Sequence, residues 1–213
     1  METDDFRLQL APLIADAAVF DGWTDTAVIA AAQIAGVDGE AARFVFGGKA
    51  MAMIEAWIHA IDRDLCAAWP AERLATLPIR ERIRVMIEFR IDAIAGQREA
   101  LRRALIEMAK PHHVAATARM AWHTADVMWR LAGDTATDYN HYTKRMTLGG
   151  IYAATLAVLA DDDSEDQADT RAFLSRRIDG VMRFEKAKAQ FLQPKGERFS
   201  LSRFAGRLRY PAT

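Results

Sequence analysis

Apolar residues recur at intervals of three and four along nearly the whole chain, and alternation of period two is absent. This pattern predicts an almost entirely helical protein. A first helix over residues 5–20 carries Phe6, Leu10, Leu13, Ile14, Ala17 and Ala18 on one face, and Asp21-Gly22 breaks it. Thr24 or Asp25 suits the cap of a short helix through residue 34, after which Gly36 turns the chain. A third short helix spans residues 39–46, Gly47-Gly48 ends it, and a long helix covers residues 49–68. Pro70 and Pro78 bracket a loop, with Pro78 fit to open a helix to about residue 96. Further helices are expected over residues 98–110 (ended by Pro111), 114–131, 139–160 and 170–190. Pro194-Lys195-Gly196 reads as a hinge before a tail, RFSLSRFAGRLRY, at residues 198–210.

Two of these helices are apolar on most faces. After Arg145 the helix over residues 139–160 presents Met146, Leu148, Ile151, Tyr152, Leu156, Val158 and Leu159, and residues 83–94 hold Ile83, Val85, Met86, Ile87, Phe89, Ile91 and Ile94. Such helices are buried all round or line a cavity. Gly149-Gly150 in mid-helix costs roughly 1 kcal/mol per glycine relative to alanine, a cost retained where a backbone or a ligand must come close. Nine methionines suit an adaptable apolar pocket. Taken alone, these residues favour a plain packed core over a ligand site.

The chain's 213 residues suffice for one large domain or two small ones. A net charge of −1 hides an asymmetry: residues 171–213 carry a net +8 and residues 1–170 a net −9. A basic tail on an acidic body points to an anionic partner for the tail, a phospholipid surface or nucleic acid, or to a solvated charged helix. The lone Cys66 provides no disulfide framework and no zinc site, which suggests a reducing compartment. No apolar run reaches transmembrane length, and the acidic start lacks the pattern of a secretory or transit segment. The expected setting is therefore the bacterial cytoplasm, or a processed organellar chain.

No catalytic set assembles. Di-iron bundles use Glu-x-x-His pairs and zinc hydrolases use His-Glu-x-x-His, and both are absent; Glu55 and His59 are spaced i, i+4. His112-His113 at a helix start and His123 beside Trp122 fit exposed or boundary positions. Cys66 near Trp69 suits a packing role. The expectation is a non-enzyme without cofactor or metal.

The densest chemistry lies in residues 126–152, DVMWRLAGDTATDYNHYTKRMTLGGIY. Gly133 suits the left-handed residue after a helix, and Thr137 or Asp138 caps the next, bringing aromatic side chains from two helix ends to one corner. This stretch resembles the signature of the accessory proteins of coenzyme Q (ubiquinone) biosynthesis, the TetR-like, lipid-binding partners of the demethoxyubiquinone hydroxylase. The first 50 residues independently resemble the helix-turn-helix head of TetR-type regulators. The resemblance implies an all-α, TetR-like fold with a head at residues 1–48, a lipid-binding helical domain at 49–190 and a basic amphipathic tail at 191–213.

It further implies that the interior takes up an isoprenoid quinone or a phospholipid, with Met86, Phe89, Leu148, Ile151 and Tyr152 as pocket candidates. Met128, His141 and Tyr142 would form the corner that docks the hydroxylase; the family carries Trp where this chain has His141. In the tail, Phe199, Leu201, Phe204 and Leu208 with Arg203 and Arg207 suit an anionic membrane surface. A homodimer is expected from the fold, with the protein peripheral on a membrane. The alternative is a TetR-type ligand-responsive regulator. Against it, residues 1–50 hold 8 acidic and 3 basic residues, and the third helix offers Arg43 against Asp38 and Glu40. Such a surface repels a polyanion, so no nucleic acid is expected as a partner.

Overall fold

The computed structural model describes residues 3–192, with side chains to Phe184. The described residues form ten α-helices and two 3₁₀ turns, with no strand among them. The helices are α1 (Thr3–Asp21), α2 (Asp25–Ala35), α3 (Gly39–Phe46), α4 (Ala50–Ala68), α5 (Ala71–Ala75), α6 (Ile79–Ala95), α7 (Arg98–Met108), α8 (Val114–Leu131), α9 (Tyr139–Ala160) and α10 (Ala168–Leu192). One departs from expectation: α5 occupies the span read as a loop. Extended Pro70 accepts at its carbonyl from the amides of Arg73 and Leu74, and burial of Leu74 anchors the single turn. Helix α7 also stops short of residue 110. Lys110, preceding Pro111, is held extended at φ −62° and ψ 137°, as the proline ring requires.

The head packs α1 against α2 and α4, and α2 against α3. Leu10, Ala11, Ile14, Ala15 and Ala18 of α1 meet Ala27, Val28, Ala31 and Ala32 of α2 in one buried cluster, where small side chains allow close approach. Buried Trp23 continues this core toward α4 and α7: its ring lies 5.3 Å from Trp57, and its Nε1–H donates to the Ala100 carbonyl at 3.1 Å. Behind the head, α4, α6, α7, α8 and α9 surround an apolar interior.

Residues 1–178 form one compact unit, and a second unit begins at Asp179. The start of α10, within the first unit, is fastened by Asp162. Its carboxylate accepts from the amides of Ser164 (2.9 Å) and Thr170 (2.8 Å) and from both hydroxyls. In the second unit α10 continues with Met182 and Phe184 exposed. The tail residues Phe199, Leu201, Arg203, Phe204, Arg207 and Leu208 lie outside the described residues. Among the described residues no single helix is long and apolar enough to cross a membrane.

Candidate functional site: an interior cavity and an aromatic corner

Helices α8 and α9 form a hairpin whose turn follows the sequence chemistry closely. Gly133 adopts φ +87°, its amide donates to the Arg130 carbonyl, and the Asp134 amide donates to that of Trp129. This is a Schellman ending that satisfies the last carbonyls of α8. Arg82 of α6 adds a hydrogen bond to the Ala132 carbonyl at 2.7 Å. Asp138 then caps α9 through the Asn140 amide at 3.0 Å.

Beneath the turn lies a buried ion cluster. Arg145 donates from Nε to Asp126 (2.7 Å) and from Nη1 to Asp134 (2.9 Å), and Lys144 reaches Asp134 at 2.7 Å. Burial pushes the Asp134 carboxyl upward, but the hydrogen bonds from Lys144 and Arg145 outweigh it and hold the group below its ordinary range. Trp129 donates from Nε1 to the Lys144 carbonyl at 3.0 Å and packs under the Lys144 ammonium. The cluster ties α9 to α8 through Asp126 and to the turn through Asp134.

Three rings meet at that corner. His141 and Tyr142 are edge-on at 5.2 Å, and Trp122 of α8 lies 6.1 and 5.9 Å from them. The His141 Nδ1 sits 2.9 Å from the Ala136 carbonyl, which can only accept, so Nδ1 carries the proton. Tyr142 is 56% exposed and is flanked along α9 by exposed Tyr139 and Met146. Met128, expected to stand on this surface, is fully buried and belongs to the core on the inner side of α8. The sequence reading overlooked Trp122, although it lies seven residues before Trp129 on one face of α8.

Between α4, α6, α7, α8 and α9 is a cavity of about 210 Å³. Its walls are mostly apolar, with Trp57, Ile61, Leu101, Met108, Met120 and Leu156 among them. Of the five pocket candidates, Tyr152 lines it. Met86 and Leu148 are in the packed core, and Phe89 and Ile151 pack half-buried against that core. Gly149 faces the cavity beside the Ala121 carbonyl, which a Cβ would meet at an ordinary 3.7 Å, whereas Gly150 looks onto open space.

One charged residue also lines the cavity, Arg90 of α6. It is fully buried, donates from Nε to the Tyr152 hydroxyl at 2.8 Å, and pairs through Nη1 with Asp62 of α4. Burial raises the Tyr152 phenol, more than Arg90 lowers it, so the hydroxyl stays protonated. His123 approaches the other Asp62 oxygen at 3.8 Å, and its ring lies 4.7 Å from that of His59 at a tilt of 53°. Cys66, expected in the packing, is exposed instead. Among the described residues no three His, Cys, Asp or Glu side chains converge as metal ligands.

A three-helix head followed by a helical body around an apolar interior defines the TetR-like class. A TetR transcriptional regulator from Nitrosomonas europaea superposes with a TM-score of 0.65 at 22% identity, covering 84% of this chain and 98% of that one. Within this fold, the model of the COQ9 family matches residues 114–185, the span that holds the corner and one wall of the cavity. It is 31% identical to the mitochondrial ubiquinone biosynthesis protein COQ9 of Homo sapiens over 168 residues, covering 76% of this chain and 52% of the human one. The Rattus norvegicus protein gives 31% over 171 residues, 76% and 54%, and a probable counterpart in Dictyostelium discoideum 24% over 115 residues, 54% and 38%. The chain spans about half the length of the mammalian relatives it matches.

Proposed function

We propose that this protein is a lipid-binding accessory factor of ubiquinone biosynthesis, which takes an isoprenoid quinone precursor into its interior and presents it to a membrane-associated hydroxylase. The observation that carries this reading is the apolar cavity within a TetR-like bundle, in a chain related to ubiquinone biosynthesis proteins. A packed core has no such opening, and an interior lined by Ile, Leu, Met and Trp selects an apolar guest. The exposed Tyr142 with Tyr139 and Met146 supports a docking role for the corner, since aromatic and methionine side chains are favoured interface anchors. His141 contributes as a fixed ring rather than an indole. The amphipathic spacing of residues 199–208 supports a tail that holds the protein on an anionic bilayer.

The regulator reading fares worse. Arg43, the basic residue of α3, is engaged by Glu40 at 3.1 Å and Asp25 at 3.3 Å, and Phe44 beside it is 88% exposed. A helix presenting a neutralised arginine and a bare phenyl ring gives little to a phosphate backbone.

The test is genetic complementation in the organism that carries this chain. Cells lacking it should accumulate the quinone precursor short of the last ring hydroxylation. The native chain should restore ubiquinone, and Ala153→Trp, which places an indole at the solvent-facing part of the cavity wall to obstruct it, should not. Normal ubiquinone levels in the deletion strain would refute the proposal.

A further inference from the structure

An apolar guest needs only apolar walls, yet the cavity wall includes a fully buried guanidinium. Arg90 is not there to solubilise anything, and a lone buried charge is expensive. Its partner Asp62 stands behind it, outside the cavity lining, and the pair is therefore electrically neutral as seen from the cavity. The hydrogen-bond directions are specific. The Tyr152 hydroxyl is occupied as an acceptor by Arg90 Nε, which leaves its own proton to give. The guanidinium has further N–H groups besides those given to Tyr152 and Asp62. The polar edge of the cavity is thus rich in donors.

Charge decides which acceptor suits it. A phosphate or carboxylate brought to Arg90 would compete with Asp62 and add a second anion in an apolar interior, at a desolvation cost that a shared guanidinium does not offset. An uncharged oxygen needs only donors, and Arg90 and Tyr152 both border the cavity. Size agrees: about 210 Å³ is below the roughly 300–1,000 Å³ usual for drug-sized ligands, which fits a single ring with the start of a chain better than a two-tailed lipid.

We propose that the Arg90–Tyr152 edge is a head-group site for an uncharged hydrogen-bond acceptor, a carbonyl or ether oxygen carried on an apolar body. This rests on the lipid-uptake reading of the same cavity and adds its polarity and direction: the oxygenated end enters.

The experiment is calorimetric titration of the full chain with four probes. These are a methoxy-substituted benzoquinone with one prenyl group, farnesene as a prenyl chain without a head, dihexanoylglycerol as a neutral ester, and dihexanoyl phosphatidate as an anion. Tyr152→Phe removes one donor with little change of shape. It should weaken the quinone roughly three- to tenfold, the range for a neutral hydrogen bond, and leave farnesene unchanged. Arg90→Met made together with Asp62→Leu removes both charges without stranding either, and should weaken the quinone at least as much. The same Tyr152 dependence for dihexanoylglycerol would support the acceptor site and assign its source to glycerolipids. Quinone affinity indifferent to both variants would overturn the inference while leaving lipid uptake standing. So would tighter, Arg90-dependent binding of the phosphatidate. Failure of all four probes to bind folded native protein would overturn lipid uptake itself, and this inference with it.

Discussion

Asp126 is shared by two arginines in opposite surroundings, which makes it an internal standard for what an ion pair contributes here. Arg145 meets one carboxylate oxygen at 2.7 Å with its side chain 2% exposed, and Arg130 meets the other at the same distance with its side chain 72% exposed. Arg145→Met leaves Asp126 with a solvent-facing partner, leaves Asp134 with Lys144 and the Ala136 amide, and removes the hydrogen bond to the His141 carbonyl at the start of α9. Removing one member of a buried pair costs about 3–5 kcal/mol; since both carboxylates keep a partner, the lower end, about 3 kcal/mol, is expected. Arg130→Met loses a screened surface contact and should cost less than about 1 kcal/mol. Urea unfolding followed by circular dichroism and tryptophan fluorescence measures both, through shifts of the midpoint at unchanged slope. Adding salt should shrink the Arg130 effect and spare most of the Arg145 effect. Equal costs for the two variants, or a cost for Arg145→Met below about 1 kcal/mol, would refute this account of the hairpin.

Further outcomes can be checked alongside. Gly150 is exposed in mid-helix and a Cβ there meets nothing within 4 Å, so Gly150→Ala should raise stability by about 1 kcal/mol. Asp134 and Asp162 are both held below the ordinary carboxylate range: burial pushes each upward, and hydrogen bonds from Lys144 and Arg145, or from Ser164 and Thr170, more than offset it. Their stabilisation is therefore complete above the unfolded aspartate pKa near 4 and is lost as pH falls below it, visible as a declining urea midpoint that Asp162→Asn should flatten. At neutral pH Asp162→Ala should cost about 2 kcal/mol, the worth of hydrogen bonds to a charged group. If the corner docks a hydroxylase as proposed, Tyr142→Ala should weaken capture of that enzyme at least tenfold, with the unfolding midpoint moved little; unchanged capture would remove the corner from the docking role.

The helices were legible because their signals are local. Gly133, Asp138 and Pro111 act through their own backbone geometry, and each stops or starts a helix where its chemistry dictates. The cavity was not legible in the same way, because its walls come from five helices and periodicity reports only which face is inward. Met86 and Phe89 were reasonable apolar candidates, yet α6 meets the cavity through Arg90 and Ile94. A signal for it existed. Arg90 sits on the inward stripe of α6 with Ile83, Met86, Ile87 and Ile94, and Asp62 sits on that of α4 with Ile54, Ile61 and Leu65. Two opposite charges on inward stripes announce a buried pair, although not which helices it joins. Met128 faces inward because it falls on the buried stripe of α8 with Met120, Thr124 and Ala125, a periodicity that outweighs its nearness in sequence to the corner.

Identification of what the native protein carries bears most directly on the central claim. Full-length protein, purified without detergent and shown to be folded, should yield on organic extraction an isoprenoid quinone or its precursor, approaching one per chain by mass spectrometry, and Ala153→Trp should abolish it. Folded native protein whose extract holds no lipid above the level of the Ala153→Trp variant would contradict the account.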